Sequence, residues 1–146
     1  MRKIIAAGAV VLLLAGCAQK DPFIDLADGN CTTEQAASVS QHISGQIEAL
    51  ENKDWELAHS FASENFQSNV SVADFTLIIV TQYPMLIKNK GYEFNECNVD
   101  NGTISQKIDV TSGEEVFSLT YSLTVNGSTL GVESAIISKV ASQLAV

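Results

Sequence analysis

The sequence predicts an α+β domain, three N-terminal helices packed on a curved four-stranded antiparallel sheet. Three observations predict it. The hydrophobic period shortens from nearly four residues to two at Tyr92, helix-capping signals precede that point, and Asn-Gly turn dipeptides follow it.

The first helix starts at Thr32-Thr33-Glu34-Gln35, which fits a capping box: the Thr32 hydroxyl accepts from the third backbone N–H and Gln35 reaches back. Val39, Ile43, Ile47 and Leu50 then form one apolar stripe that ends near Glu51. Asp54 is the expected N-cap of a short second helix that carries Trp55, Ala58, Phe61 and Ala62 on one face. Ser71 opens a third through Phe75, Ile78 and Ile79; it breaks at Tyr83-Pro84, because proline disfavours helical geometry in the residue before it. Met85, Leu86 and Ile87 add a further turn.

Two hairpins follow, around Asn101-Gly102 and Asn126-Gly127. Taking Asn126-Gly127 as a two-residue turn pairs Leu123 with Leu130, Tyr121 with Val132, Leu119 with Ser134 and Phe117 with Ile136 on one apolar face. Ser118, Thr120, Ser122, Thr124, Glu133 and Lys139 then share the solvated face. In the first hairpin, Val99 faces Ile104 and Cys97 faces Gln106, but Tyr92 and Phe94 fall on the other side. A bulge near Glu96 reconciles the two halves, and it would let Glu96 or Asp109 turn inward.

The chain begins with the basic Met1-Arg2-Lys3 and an apolar run from Ile4 to Ala15, too short for a permanent span of about 20 residues and laid out as a signal peptide over residues 1–16. Leu14-Ala15-Gly16-Cys17 resembles the lipobox of bacterial lipoproteins. That resemblance implies a diacylglyceryl group on Cys17, cleavage between Gly16 and Cys17, and anchoring at a cell membrane or outer membrane on the side away from the cytoplasm. One acyl chain holds marginally, at about 0.8 kcal/mol per buried CH₂, whereas two hold firmly. Residues 17–31 read as the lipidated cysteine and a flexible tether, and residues 32–146 as the domain.

Removing Arg2 and Lys3 leaves six basic residues against seventeen acidic ones, a formal charge of −11 in place of −9. Such acidity argues against nucleic acid as a partner, since phosphates need a basic patch. Cys31 and Cys97 form an even pair in a compartment that permits disulfides, and a bridge is favoured over two free thiols. Two cysteines and two histidines at unrelated spacing match no zinc pattern, so no metal is expected, nor any cofactor.

The stripe of Ile43, Ile47 and Leu50, the step from Asp54-Trp55 to Phe61-Ala62, the segment from Phe75 through Tyr83-Pro84, and the strands from Phe94 to Ile137 resemble the cone-shaped domains of the nuclear transport factor 2-like superfamily. Within it, the chain looks like uncharacterised bacterial families in which a lipobox precedes the cone. The resemblance implies a cavity between helices and sheet, for which Phe117, Leu119, Tyr121 and Tyr83 are the candidate ligand-binding residues. Superfamily enzymes place a carboxylate with a Tyr or His on that cavity. Here His42 sits at a helix edge and His59 on the outer flank of its helix, and no catalytic set is expected. The function expected is therefore a non-enzymatic anchored lipoprotein that binds a small apolar ligand or a protein partner; a homodimer through the sheet and an isomerase or dehydratase are the alternatives.

Overall fold

A computed structural model describes residues 20–142; the leader over residues 1–16 and the proposed lipid site Cys17 lie outside them. The chain folds as β1 (Gly29–Asn30), α1 (Thr33–Glu51), α2 (Trp55–Ser60), α3 (Glu64–Asn69), α4 (Val72–Gln82), α5 (Pro84–Ile87), β2 (Gly91–Asp100), β3 (Thr103–Ser112), β4 (Glu115–Asn126) and β5 (Thr129–Ser142). Helices therefore precede a sheet, an α+β order. The sheet has five strands, in the order β1-β2-β3-β4-β5 with every pair antiparallel, and it is not closed.

Local chemistry accounts for the helix boundaries. Thr32 and Gln35 form the capping box at α1, with backbone-to-side-chain bonds of 3.2 and 2.9 Å. Asp54, Ser63 and Ser71 cap α2, α3 and α4 through side-chain oxygens. Pro84 occupies the start of α5, where its missing N–H has no helical partner to lose. The stripe Val39, Ile43, Ile47 and Leu50 is wholly buried and shares one cluster with Ile104 and Ile108 of β3 and Leu119 and Leu123 of β4. Burial of each such side chain contributes about 1.5–3 kcal/mol.

Four expectations are corrected. First, a further helix, α3, lies between the expected second and third helices. It spans six residues and buries none of them, so it carries no apolar period to read. Second, part of the segment expected to be a flexible tether is folded. Phe23 joins the core, the Gln35 amide donates to the carbonyls of Pro22 and Asp25 at 2.9 and 3.3 Å, and β1 adds a fifth strand by pairing Gly29 with Val99 and Asn30 with Asn98.

Third, the second hairpin turns one residue later, at Gly127-Ser128, with Gly127 at a φ of 63°. Leu123 thus faces Val132 instead of Leu130. Fourth, β5 slips twice more, so that Tyr121 opposes Ala135, Leu119 opposes Ile137 and Phe117 opposes Val140. Glu133 and Ser138 are the extra residues at these slips, and Ile136 is turned out to solvent. Bulges carry no fixed sequence signature, whereas the alternation of a regular strand does.

The first hairpin agrees with its expected pairing: Val99 faces Ile104, Cys97 faces Gln106, and a slip between Phe94 and Cys97 lets Phe94 oppose Ile108. Cys31 and Cys97 are joined in a disulfide with their Cα atoms 5.4 Å apart, beside a Cys31 N–H bond to the Cys97 carbonyl at 2.9 Å. Among the described residues no helix is long and apolar enough to cross a membrane.

Candidate functional site

A cavity of about 170 Å³ opens between the helices and the inner face of the sheet. Its walls are apolar: Leu50 from α1, Phe75 and Ile79 from α4, Phe66 from α3 and Val132 from β5. The Ser71 cap sets the phase of α4 so that Phe75 and Ile79, one turn apart, share its inner side. Phe66 and Phe75 meet edge to face, with ring centroids 6.1 Å apart.

Of the four candidate ligand-binding residues, Tyr121 and Tyr83 line this cavity, whereas Phe117 and Leu119 are not among its lining residues. Leu119 is fully buried elsewhere in the core, and Phe117 lies two residues before it on β4. Tyr83 closes α4; its hydroxyl donates to the carbonyl of Ala135 on the edge strand β5 at 2.5 Å. Tyr121 is 1 % exposed, and its hydroxyl has no hydrogen-bond partner among the described residues. Burial, reinforced by Tyr83 and Tyr92, pushes the Tyr121 phenol well above its ordinary pKa, so the hydroxyl keeps its proton.

The sequence alternation placed Glu133 on the solvated face, but the slip in β5 brings it to the cavity rim with Ser134. Its carboxylate accepts from the Ser63 hydroxyl and from the Asn65 amide at 2.6 Å. No lysine, arginine or histidine is among the described residues that line the cavity. The polar groups are few and the single charge at the rim is negative.

The other titratable candidates serve the framework. Glu96 stays outside the core and pairs with Lys107 at 2.6 Å, which lowers its pKa first through the hydrogen bond and then through the charge. Asp109 accepts from Asn95 and Ser118 on the outer side of the sheet. His42 sits at the edge of α1, with its Nε2 2.8 Å from the Phe61 carbonyl. His59, expected on an outer flank, is instead buried: its Nε2 lies 2.7 Å from the Val70 carbonyl and its ring packs on Phe75 at 5.4 Å. The unforeseen α3 supplies the reason, since α3 and the residue after it cover that flank of α2.

A family model described as a domain of unknown function, DUF4864, matches residues 32–143. No curated protein and no solved structure matches the chain.

Proposed function

We propose that this chain, which belongs to the DUF4864 family, is a lipoprotein anchored through Cys17 outside the cytoplasm, and that its cavity binds a small apolar molecule without transforming it. The observation that carries the binding reading is the cavity itself: aromatic and aliphatic walls meet around few polar groups, the usual make-up of a small-molecule site. The anchor rests on Leu14-Ala15-Gly16-Cys17, and the Cys31–Cys97 bridge is in keeping with an oxidising compartment. The bulged open sheet with helices over one face supports reading the domain as a cone of the nuclear transport factor 2-like kind.

Native mass spectrometry tests the binding. The chain from Ala18 onward keeps every described element and can be exported under an ordinary signal peptide. A reproducible added mass, lost on denaturation and absent from Ile78→Trp, is the expected result, because Ile78 lines the cavity and a larger ring there fills it. A bare mass after exposure to an envelope extract would remove the reading. Metabolic labelling with palmitate is expected to mark the full chain and to leave Cys17→Ser unmarked.

A second reading has one observation in its favour. The slip in β5 places a carboxylate, Glu133, on the same cavity as Tyr121, as an isomerase or dehydratase would require. Both Glu133 oxygens are already engaged by Ser63 and Asn65, which favours a structural role. Glu133→Gln is expected to leave any bound molecule unaltered; accumulation of a different adduct in that variant would favour the enzyme.

A further inference from the structure

We propose that the domain lies with one face on the bilayer, the face around Pro22 beside the start of α1, and that Ile24 enters the lipid surface there. The inference rests on the lipid anchor at Cys17 proposed above and names the surface that this anchor brings to the membrane.

The shortness of the free chain carries the argument. The backbone is held from Pro22 onward: the Pro22 carbonyl accepts from the buried Gln35 amide at 2.9 Å, and Phe23 belongs to the core. Five residue steps separate Pro22 from Cys17, a reach of at most about 18 Å. A compact domain the length of residues 20–142 is about 35 Å across. Pro22 therefore stays within half a diameter of the headgroups, and only the hemisphere centred on it can touch them.

Ile24 is the apolar contact which that hemisphere offers. It is 66 % exposed, the most exposed large apolar side chain among the described residues, and it lies two residues from Pro22. A turn holds its backbone, with the Phe23 N–H donating to the Asp21 carboxylate at 2.9 Å and the Ile24 N–H to the Asp21 carbonyl at 3.4 Å. Phe23 then fills the core while Ile24 stays outside it. A single isoleucine binds a membrane weakly from solution, but a tethered one meets lipid at high effective concentration. Its neighbours set the headgroup chemistry. Asp21, Asp25 and Glu34 border one surface hollow together with Lys20 and Ile24, so neutral headgroups fit and anionic ones are repelled.

The chain from Cys17 onward keeps every described element and, with Cys31 and Cys97 bridged, has one free thiol. That thiol is coupled to a maleimide diacyl lipid in phosphatidylcholine vesicles whose brominated acyl chains quench tryptophan. Ile24→Trp is compared with Leu77→Trp on α4 and Ile136→Trp on β5, positions that are similarly exposed and border neither hollow lined by Pro22. The emission of Trp55, common to all, is subtracted. Ile24→Trp is expected to lose about half of its added emission or more, as an interfacial side chain would, and the other two little. Inserting about twelve Gly and Ser residues after Ala18 should shrink that difference, because a long flexible leash lets every face reach the bilayer. Phosphatidylglycerol in place of phosphatidylcholine should weaken quenching at low salt.

No quenching of Ile24→Trp, equal quenching of Leu77→Trp or Ile136→Trp, a difference unchanged by the insertion, or stronger quenching on the anionic vesicles would each overturn the assignment. Because the coupling supplies the lipid chemically, those outcomes leave the anchor at Cys17 standing. A full chain left unmarked by palmitate would remove the anchor and, with it, this docked face.

Discussion

Gly131 lies against the backbone of Ser63: a Cβ at position 131 would fall 2.5 Å from the Ser63 Cα. The approach is held by two backbone bonds of 2.9 Å, Val132 N–H to the Phe61 carbonyl and Ser63 N–H to the Val132 carbonyl. It ties the junction of α2 and α3 to the strand that carries Glu133, and so fixes one side of the cavity.

Gly131→Ala is therefore expected to destabilise the domain by about 1–3 kcal/mol, the usual cost of overpacking. Here the colliding atom belongs to the main chain, which cannot rotate away as a side chain would. Urea unfolding measures it; a midpoint equal to wild type would show that the junction yields freely.

Gln106 is buried beneath the irregularity in β2, where its amide donates to the carbonyls of Asn95 and Glu96 at 3.2 and 3.3 Å. A bulge leaves such groups outside the ladder, and Gln106 supplies what the ladder does not. Gln106→Leu keeps the volume and removes the donor, at an expected cost of about 1–3 kcal/mol. Equal thermal stability of the two proteins would show that the carbonyls need no such donor.

The Cys31–Cys97 bridge closes a separation of 66 residues, for which the chain-entropy argument gives about 4 kcal/mol. The double variant Cys31→Ser, Cys97→Ser is expected to lose stability on that scale. Hydrogen exchange should accelerate first at Gly29 and Asn30, because their two-residue strand has few other bonds. Protection at those amides unchanged from wild type would mean that Phe23 and Gln35 hold the segment unaided.

Burial holds the His42 imidazole below its ordinary pKa, and the bond to the Phe61 carbonyl offsets only part of that effect. Between the folded value and about 6.5, the unfolded chain binds more protons at this site, so its contribution to stability rises with pH. The contribution is complete above that range and is lost as pH falls through it. The urea midpoint should decline between pH 7.5 and pH 5.5, and His42→Gln should flatten the decline. An identical slope in the variant would assign the pH dependence to other groups.

Much of the fold was legible because its signals are local. A cap is a matter of four residues, as at Thr32–Gln35 and Ser71–Asp74, and a helical stripe repeats over about three turns, as from Val39 to Leu50. The bulge in β2 was legible for a different reason: Tyr92 and Phe94 conflicted in register with Cys97 and Val99, and one extra residue resolves that conflict. In β5 the adjacent Ile136 and Ile137 satisfy either register, so the alternation held no contradiction to expose the slip at Glu133.

The sequence by itself determined the α+β order, the capped helices, the apolar inner face of β4 and the pair of cysteines available to bridge, since each depends on neighbours in the chain or on a period within one element. Only the tertiary structure decided that Phe23 enters the core, that His59 is covered by α3, that Glu133 reaches the cavity and that the Tyr121 hydroxyl is buried with no partner among the described residues. Each of those outcomes depends on which surfaces meet across the fold and on where a strand gains a residue. These are properties of packing between distant segments, and no local pattern encodes them.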